Sequence, residues 1–189
     1  MQNVRVFFEK TGMTKYISHL DLMRCMTRAI KRAAIPAWYT EGFNPHLFIT
    51  FALPLTLGVE SLCESMDIRL TEEMDFEEVK NRLNVNLPDG IRITNVAVPV
   101  YKANDIAFAE YKITFHTRKN EKIKNEIEEK LLCDELLAEK MGKQGKRKVL
   151  KTINLKEFVN SYSVISLNDK TVLTAVLTAG SKNNINPNL

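Results

Sequence analysis

Residues 16–46 read YISHLDLMRCMTRAIKRAAIPAWYTEGFNPH, and this stretch decides the fold of the first half of the chain. Ser18 is placed to accept from first-turn backbone N–H groups, and Asp21 completes a capping-box-like S-x-x-D. At 100° per residue, Leu22, Met23, Met26, Ala29, Ile30 and Ala33 fall on one apolar face. Arg24, Arg28, Lys31 and Arg32 gather opposite, with Asp21 able to pair with Arg24 at i+3. The helix must stop before Pro36, which cannot continue it. Trp38 and Tyr39 then lead into Gly42-Phe43-Asn44-Pro45, a loop rich in special-purpose residues.

Working outward, Val4–Glu9 is β-rich and bounded by Thr11-Gly12. On the other side, His46–Leu53 reads as a strand broken by Pro54, and Leu57–Ser61 as a turn. Ser65–Leu70 alternates as a half-buried strand does. Asp75 caps a helix over Phe76–Leu83, Pro88-Asp89-Gly90 is a turn, and Ile91–Val98 is another strand. The order β-α-β-β-α-β over residues 1–100 predicts an α+β, ferredoxin-like unit. Two helices would cover one sheet face and leave the other free, as a platform for RNA. A second unit, residues 109–189, reads as a partial ferredoxin-like β-α-β-β half. Its parts are a strand at Ala109–Phe115, a helix over Glu121–Met141 and a flexible basic turn at Gly142–Lys148. An extended piece at Val149–Leu155 and a hairpin at Tyr162–Leu177 follow. Asn186-Pro187 reads as the start of a helix cut off at Leu189, so the chain is expected to continue.

The totals are those of an ordinary globular chain: 189 residues, 44% hydrophobic, 26% charged, net charge +4. That charge tilts the chain only mildly toward anionic partners, so clustering matters more than the sum. Cys25, Cys63 and Cys133 match no metal spacing and read as core thiols in a reducing compartment. No apolar run is long enough to span a bilayer and no signal peptide opens the chain, which predicts a cytoplasmic protein without membrane contact. There is no glycine-rich phosphate loop, HExxH, paired CxxC or nucleophile elbow. The three-cysteine cluster of a radical S-adenosylmethionine enzyme is also missing.

Two constellations remain. Four cations within nine residues, followed by Trp38, Tyr39 and Phe43, suit nucleic acid. Arg24, Arg28, Lys31 and Arg32 would neutralise phosphates while Tyr39, Phe43 and Asn44 stack on or read a base. Lys143, Lys146, Arg147, Lys148 and Lys151 form a second basic run, either a solvated loop or a further phosphate contact. His19 and His46 would make a metal-independent acid–base pair if the loop folds back over the helix mouth. Against that stands a plain structural histidine at position 19.

The residues Ser18-His19-Leu20-Asp21, Arg24, Arg28-Ala29, Arg32-Ala33, Pro36 and Tyr39 through His46 resemble the signature of the bacterial radical-SAM-linked proteins. This uncharacterised domain is found fused to, or encoded beside, a radical S-adenosylmethionine protein. Leu57-Gly58-Val59-Glu60-Ser61 and Leu87-Pro88-Asp89-Gly90 fit the same pattern. Thr40 keeps the hydroxyl of the family's usual serine, whereas Thr152–Leu155 lacks an aspartate that relatives often carry. The resemblance implies a radical-SAM partner carrying S-adenosylmethionine and an iron–sulfur cluster, with no cofactor or metal in this chain. The expected role is therefore a noncatalytic recognition module that positions tRNA or rRNA for that partner, in RNA modification or processing. The alternatives are a metal-independent RNA-processing enzyme using His19 and His46, and a protein-docking domain without RNA contact.

Overall fold

A computed structural model describes residues 1–144, 147–180 and 185–188. The chain divides into two compact units, Met1–Asp105 and Ile106–Leu189. In the first unit, β1 (Gln2–Lys10), α1 (His19–Arg32), β2 (Ile49–Phe51), β3 (Ser61–Leu70), α2 (Phe76–Asn86) and β4 (Ile91–Ala97) follow in that order. The strands form one antiparallel sheet in the order β2-β3-β1-β4. That arrangement is compatible with a ferredoxin-like unit, in which the first and third strands are central.

Alternation builds the core. Val4, Val6, Phe8, Met66, Ile68, Leu70, Ile91 and Ile93 turn one sheet face toward Leu22, Met26, Ala29 and Ile30 of α1 and Val79 and Leu83 of α2. Ala33 joins this cluster just beyond α1, while Met23 is only half-buried. Both expected caps form: Ser18 Oγ accepts from Asp21 N at 3.1 Å, and Asp75 Oδ1 from Glu78 N at 3.0 Å. The strand expected at His46–Leu53 is regular only over Ile49–Phe51, because residues 38–48 form a hairpin of their own. Conversely β3 begins four residues earlier than expected, so part of the anticipated turn at Leu57–Ser61 is already paired with β1.

The sheet face away from the helices is not bare. Arg5 lies there at 9% exposure and makes a bidentate pair with Asp67, at 2.6 and 2.8 Å. Its proton is held more firmly than usual by that hydrogen bond, with the charge of Asp105 adding to it. The guanidinium of Arg69 lies 5.0 Å from both the Trp38 and Phe48 rings. The expectation of a free platform thus gives way to a face on which Arg5 and Arg69 are already engaged, while Arg92 of β4 stays exposed.

In the second unit, β5 (Phe108–His116), β9 (Lys170–Thr178) and β8 (Val159–Leu167) form a three-stranded antiparallel sheet in that order. Together with α3 (Asn120–Leu132), this is the expected β-α-β-β half. Between α3 and β8 a separate antiparallel hairpin is inserted, β6 (Leu137–Gln144) paired with β7 (Arg147–Asn154). The helix expected to reach Met141 therefore ends nine residues early. The cause lies far along the chain. Lys156 Nζ donates to the last carbonyls of the helix, Leu132 and Cys133, and Asn154 Oδ1 takes the N–H of Leu136 at 3.0 Å. Leu132 and Leu137, expected on the apolar stripe, are exposed instead. Residues 142–144 and 147–148 of the anticipated basic turn are strand, and Lys146 lies outside the described residues, as does Leu189.

Asn154 also accepts from Lys156 N at 3.2 Å. Both bonds need only an oxygen acceptor, so the segment where an aspartate was expected loses nothing here by being uncharged. The cysteines depart from expectation as well. Cys63 and Cys133 are exposed and Cys25 is half-buried, because Cys63 lies toward the exposed start of β3 and Cys133 caps α3.

Candidate nucleic-acid interface

Three of the four predicted cations come together. Arg24, Arg28 and Arg32 recur every fourth residue on α1, so each is displaced from the last by about 6 Å along the axis. With Asp21 and Cys25 they form one wall of an open groove of about 670 Å³. Val85 and Asn86 at the end of α2, followed by Leu87 and Pro88, form the other wall. Lys31 is exposed but does not line this groove.

The three guanidiniums are not equivalent. Arg24 is tied to Asp21 at 3.0 Å, an exposed i,i+3 pair. Ser18 and Arg24 together hold the Asp21 carboxyl below the usual range, so this pair stays charged at neutral pH. Arg32 crosses the groove to donate to the carbonyl of Asn86. Arg28 makes no ion pair or hydrogen bond among the described residues. The thiol of Cys25 is pushed up by burial, more than Arg32 and Arg28 pull it down, so it remains protonated and is a poor nucleophile at neutral pH.

The second predicted set, Tyr39, Phe43 and Asn44, lies elsewhere: none of it lines the groove. These residues sit on a hairpin, pinned at its base in several ways. Trp38 N donates to Arg69 O at 2.7 Å, Phe48 N to Trp38 O at 3.1 Å and Thr40 N to His46 O at 2.8 Å, while the two aromatic arms hold Arg69. Thr40 Oγ1 takes the N–H of His46 at 3.1 Å and donates to its carbonyl at 3.2 Å. This explains why a hydroxyl is wanted at position 40. Gly42 supplies the left-handed turn, with φ of 121°. At the tip Phe43 is 108% exposed, presented by the pinned base and packed against nothing.

His46 belongs to this pinning. Its Nδ1 lies 3.0 Å from Thr40 Oγ1 and 3.2 Å from the carbonyl of Asn44. A carbonyl only accepts, so these bonds assign the neutral ring's proton to Nδ1 and leave Nε2 as the lone-pair side. His19, the first residue of α1, packs edge-on against Phe51 at 5.0 Å, and Phe51 in turn packs edge-on against Phe8. Its Nδ1 is buried with no hydrogen-bond partner among the described residues. Among the described residues no hydrogen bond or ring contact joins the two histidines.

The wall Val85–Pro88 escaped the sequence reading. Part of its signal was available: Pro88 follows a capped helix, and a ferredoxin-like order sets the two helices side by side, but which face of α1 the end of α2 borders depends on how they pack. The buried Lys10, 1% exposed, was missed as well. Its ammonium lies 3.5 and 3.3 Å from the carbonyls of Lys15 and Ile17, steadying the turn that launches α1. Burial draws its pKa down, and the neighbouring Glu64 partly restores it. Among the described residues no group of three or more His, Cys, Asp or Glu is arranged to hold a metal ion. No described helix is long and apolar enough to cross a membrane.

A search of curated proteins finds no match to the chain. Over residues 3–187 it matches the family described as uncharacterized protein conserved in bacteria, DUF2344. With nearly its whole length covered, and the α1 groove and the 38–48 hairpin both inside the match, the chain belongs to this uncharacterized bacterial family.

Proposed function

We propose that this protein is a noncatalytic, cytoplasmic recognition module that binds tRNA or rRNA and positions it for a radical-SAM partner acting in RNA modification or processing. The partner carries the S-adenosylmethionine and the iron–sulfur cluster. The observation that carries the reading is the groove. Arg24, Arg28 and Arg32 line one wall at helical-turn spacing, and Arg28 has no counter-ion among the described residues. Cations so placed neutralise successive phosphates and release counterions. The test is the double reversal Arg28→Glu with Arg32→Glu, assayed against bulk tRNA over a range of salt. Weaker binding with a flatter salt dependence is expected, and unchanged affinity sinks the reading.

A protein-docking role is favoured by a different observation. The hairpin tip carries Phe43 fully exposed, Glu41 beside it and no lysine or arginine. An exposed aromatic on a braced support is the common anchor of protein contacts, whereas an acidic neighbour opposes phosphate. Co-purification with the radical-SAM partner in the absence of nucleic acid, lost in Phe43→Ala, is the expected sign of that role. Association that survives Phe43→Ala counts against it. The acid–base reading of His19 and His46 finds no comparable geometric support.

A further inference from the structure

Resting on the RNA reading above, we propose that the α1–α2 groove takes single-stranded rather than duplex RNA, phosphates on one wall and riboses and bases on the other. The two walls are chemically opposite. On α1 stand the guanidiniums of Arg24, Arg28 and Arg32, spread over about 12 Å of helix axis. The facing wall is the C-terminal end of α2 and the turn after it. It has no cation, it shows the apolar surfaces of Val85, Leu87 and Pro88, and Val85 is 85% exposed.

A helix C-terminus carries partial negative charge, concentrated on its last carbonyls. One of these, Asn86 O, already attracts Arg32 across the groove. Phosphates are therefore drawn to the α1 wall and repelled from the α2 wall. The α2 wall instead suits hydrogen-bond donors and apolar edges, which a nucleotide has in its 2′-hydroxyl, exocyclic amines and base faces. A single strand offers both sides at once, because its bases are splayed away from its backbone. A duplex still shows 2′-hydroxyls in its minor groove, but its base faces are stacked away, so the apolar surfaces of Val85, Leu87 and Pro88 would have no base face to cover. Among the described residues no aromatic ring lines the groove, so recognition here reads backbone and ribose more than base identity.

The experiment is fluorescence anisotropy with an unstructured, end-labelled RNA of about a dozen nucleotides, with the same RNA annealed to its complement, and with linear polyphosphate as competitor. The single strand is expected to bind the intact chain about tenfold more tightly than the duplex. Arg28→Gln with Arg32→Gln abolishes that preference. Lys31→Gln, outside the groove, leaves it. Val85→Ser, at an exposed position where folding does not depend on the side chain, weakens the single strand about threefold without affecting polyphosphate.

Duplex binding as tight as single-strand binding, through the same arginines, overturns this inference and leaves the RNA reading standing. So does polyphosphate that competes as well as RNA at equal charge, or a Val85→Ser variant with unaltered affinity. A Lys31→Gln loss equal to that of the arginine pair places binding outside the groove and also overturns it. If neither RNA binds while bulk tRNA does, this inference alone has failed; if tRNA does not bind either, the RNA reading itself has failed.

Discussion

Asp21→Asn should tighten RNA binding, although it removes a charge that helps to cap α1. Asp21 occupies Arg24 at 3.0 Å, so the groove offers two guanidiniums not paired to a carboxylate, Arg28 and Arg32. Freeing Arg24 raises the number of phosphates neutralised from about two to about three. For single strands each phosphate contributes about 0.7 to the slope of log affinity against log salt, so the third is worth about fivefold at about 0.1 M salt and only about 1.6-fold at about 0.5 M. The cost to the fold is small. The cap bond from Asp21 N to Ser18 Oγ is made by backbone and survives, asparagine keeps an oxygen for the Ser18 hydroxyl, and the lost dipole interaction is at an exposed position where solvent already weakens it. Anisotropy titrations across that salt range should show tighter binding, a slope steeper by about 0.7 and convergence with the parent at high salt. Arg28→Gln should move by the same factor in the other direction. Binding that is unchanged or weaker in Asp21→Asn, or a gain that persists undiminished in high salt, refutes the arithmetic and with it the groove as a phosphate site.

Thr40→Val removes the hydroxyl that joins Thr40 to His46 at three atoms, at a local cost of about 1–2 kcal/mol. Amides of residues 38–48 should exchange about 5- to 30-fold faster while groove affinity stays put. Asp67→Ala leaves Arg5 buried without its partner and should cost about 3 kcal/mol in urea unfolding, most of it recovered in the double variant Arg5→Met, Asp67→Leu. Glu64 has its pKa raised by burial, so the folded state holds that proton more tightly than the unfolded chain does. Its contribution is then full below the ordinary carboxylate value and lost as pH rises through the raised one. Glu64→Gln should accordingly gain stability over the parent near neutrality and lose that advantage below about pH 4.5, where a constant difference would contradict the assignment. Gly90→Ala brings a Cβ to 2.6 Å from Thr11 O at a φ of +88°, and should lower the unfolding midpoint by more than about 1 kcal/mol of stability.

The first unit was legible because its signals are local. Ser18 and Asp75 cap their own helices, and alternation along β1 and β3 separates core from surface without help from distant residues. The end of α3 was not legible for the opposite reason. Its last carbonyls are held by Lys156, more than twenty residues away, and nothing in the intervening sequence announces a stop. The candidate site divides along the same line. The arginine stripe is a property of one helix and could be read from its period, but its facing wall depends on how two helices pack. The 16–46 stretch suggested one surface of cations and aromatics together. The structure separates them into a groove and a hairpin, because the hairpin is tied to Arg69 of β3 and the arginines face the end of α2. His46 looked like chemistry and holds a loop; its role rests on contacts with Thr40 and Asn44 that spacing alone does not predict.

Trp38 is the only tryptophan in the chain, and it stands at the base of the hairpin with the Arg69 guanidinium 5.0 Å from its ring. An indole's emission responds to a charge against its face, so the protein carries its own optical reporter at the hairpin base. Any event that shifts the hairpin arms must move that signal, and a ligand confined to the groove should leave it unchanged. Unlabelled protein in an ordinary fluorimeter can thus tell which of the two surfaces a binding partner has found.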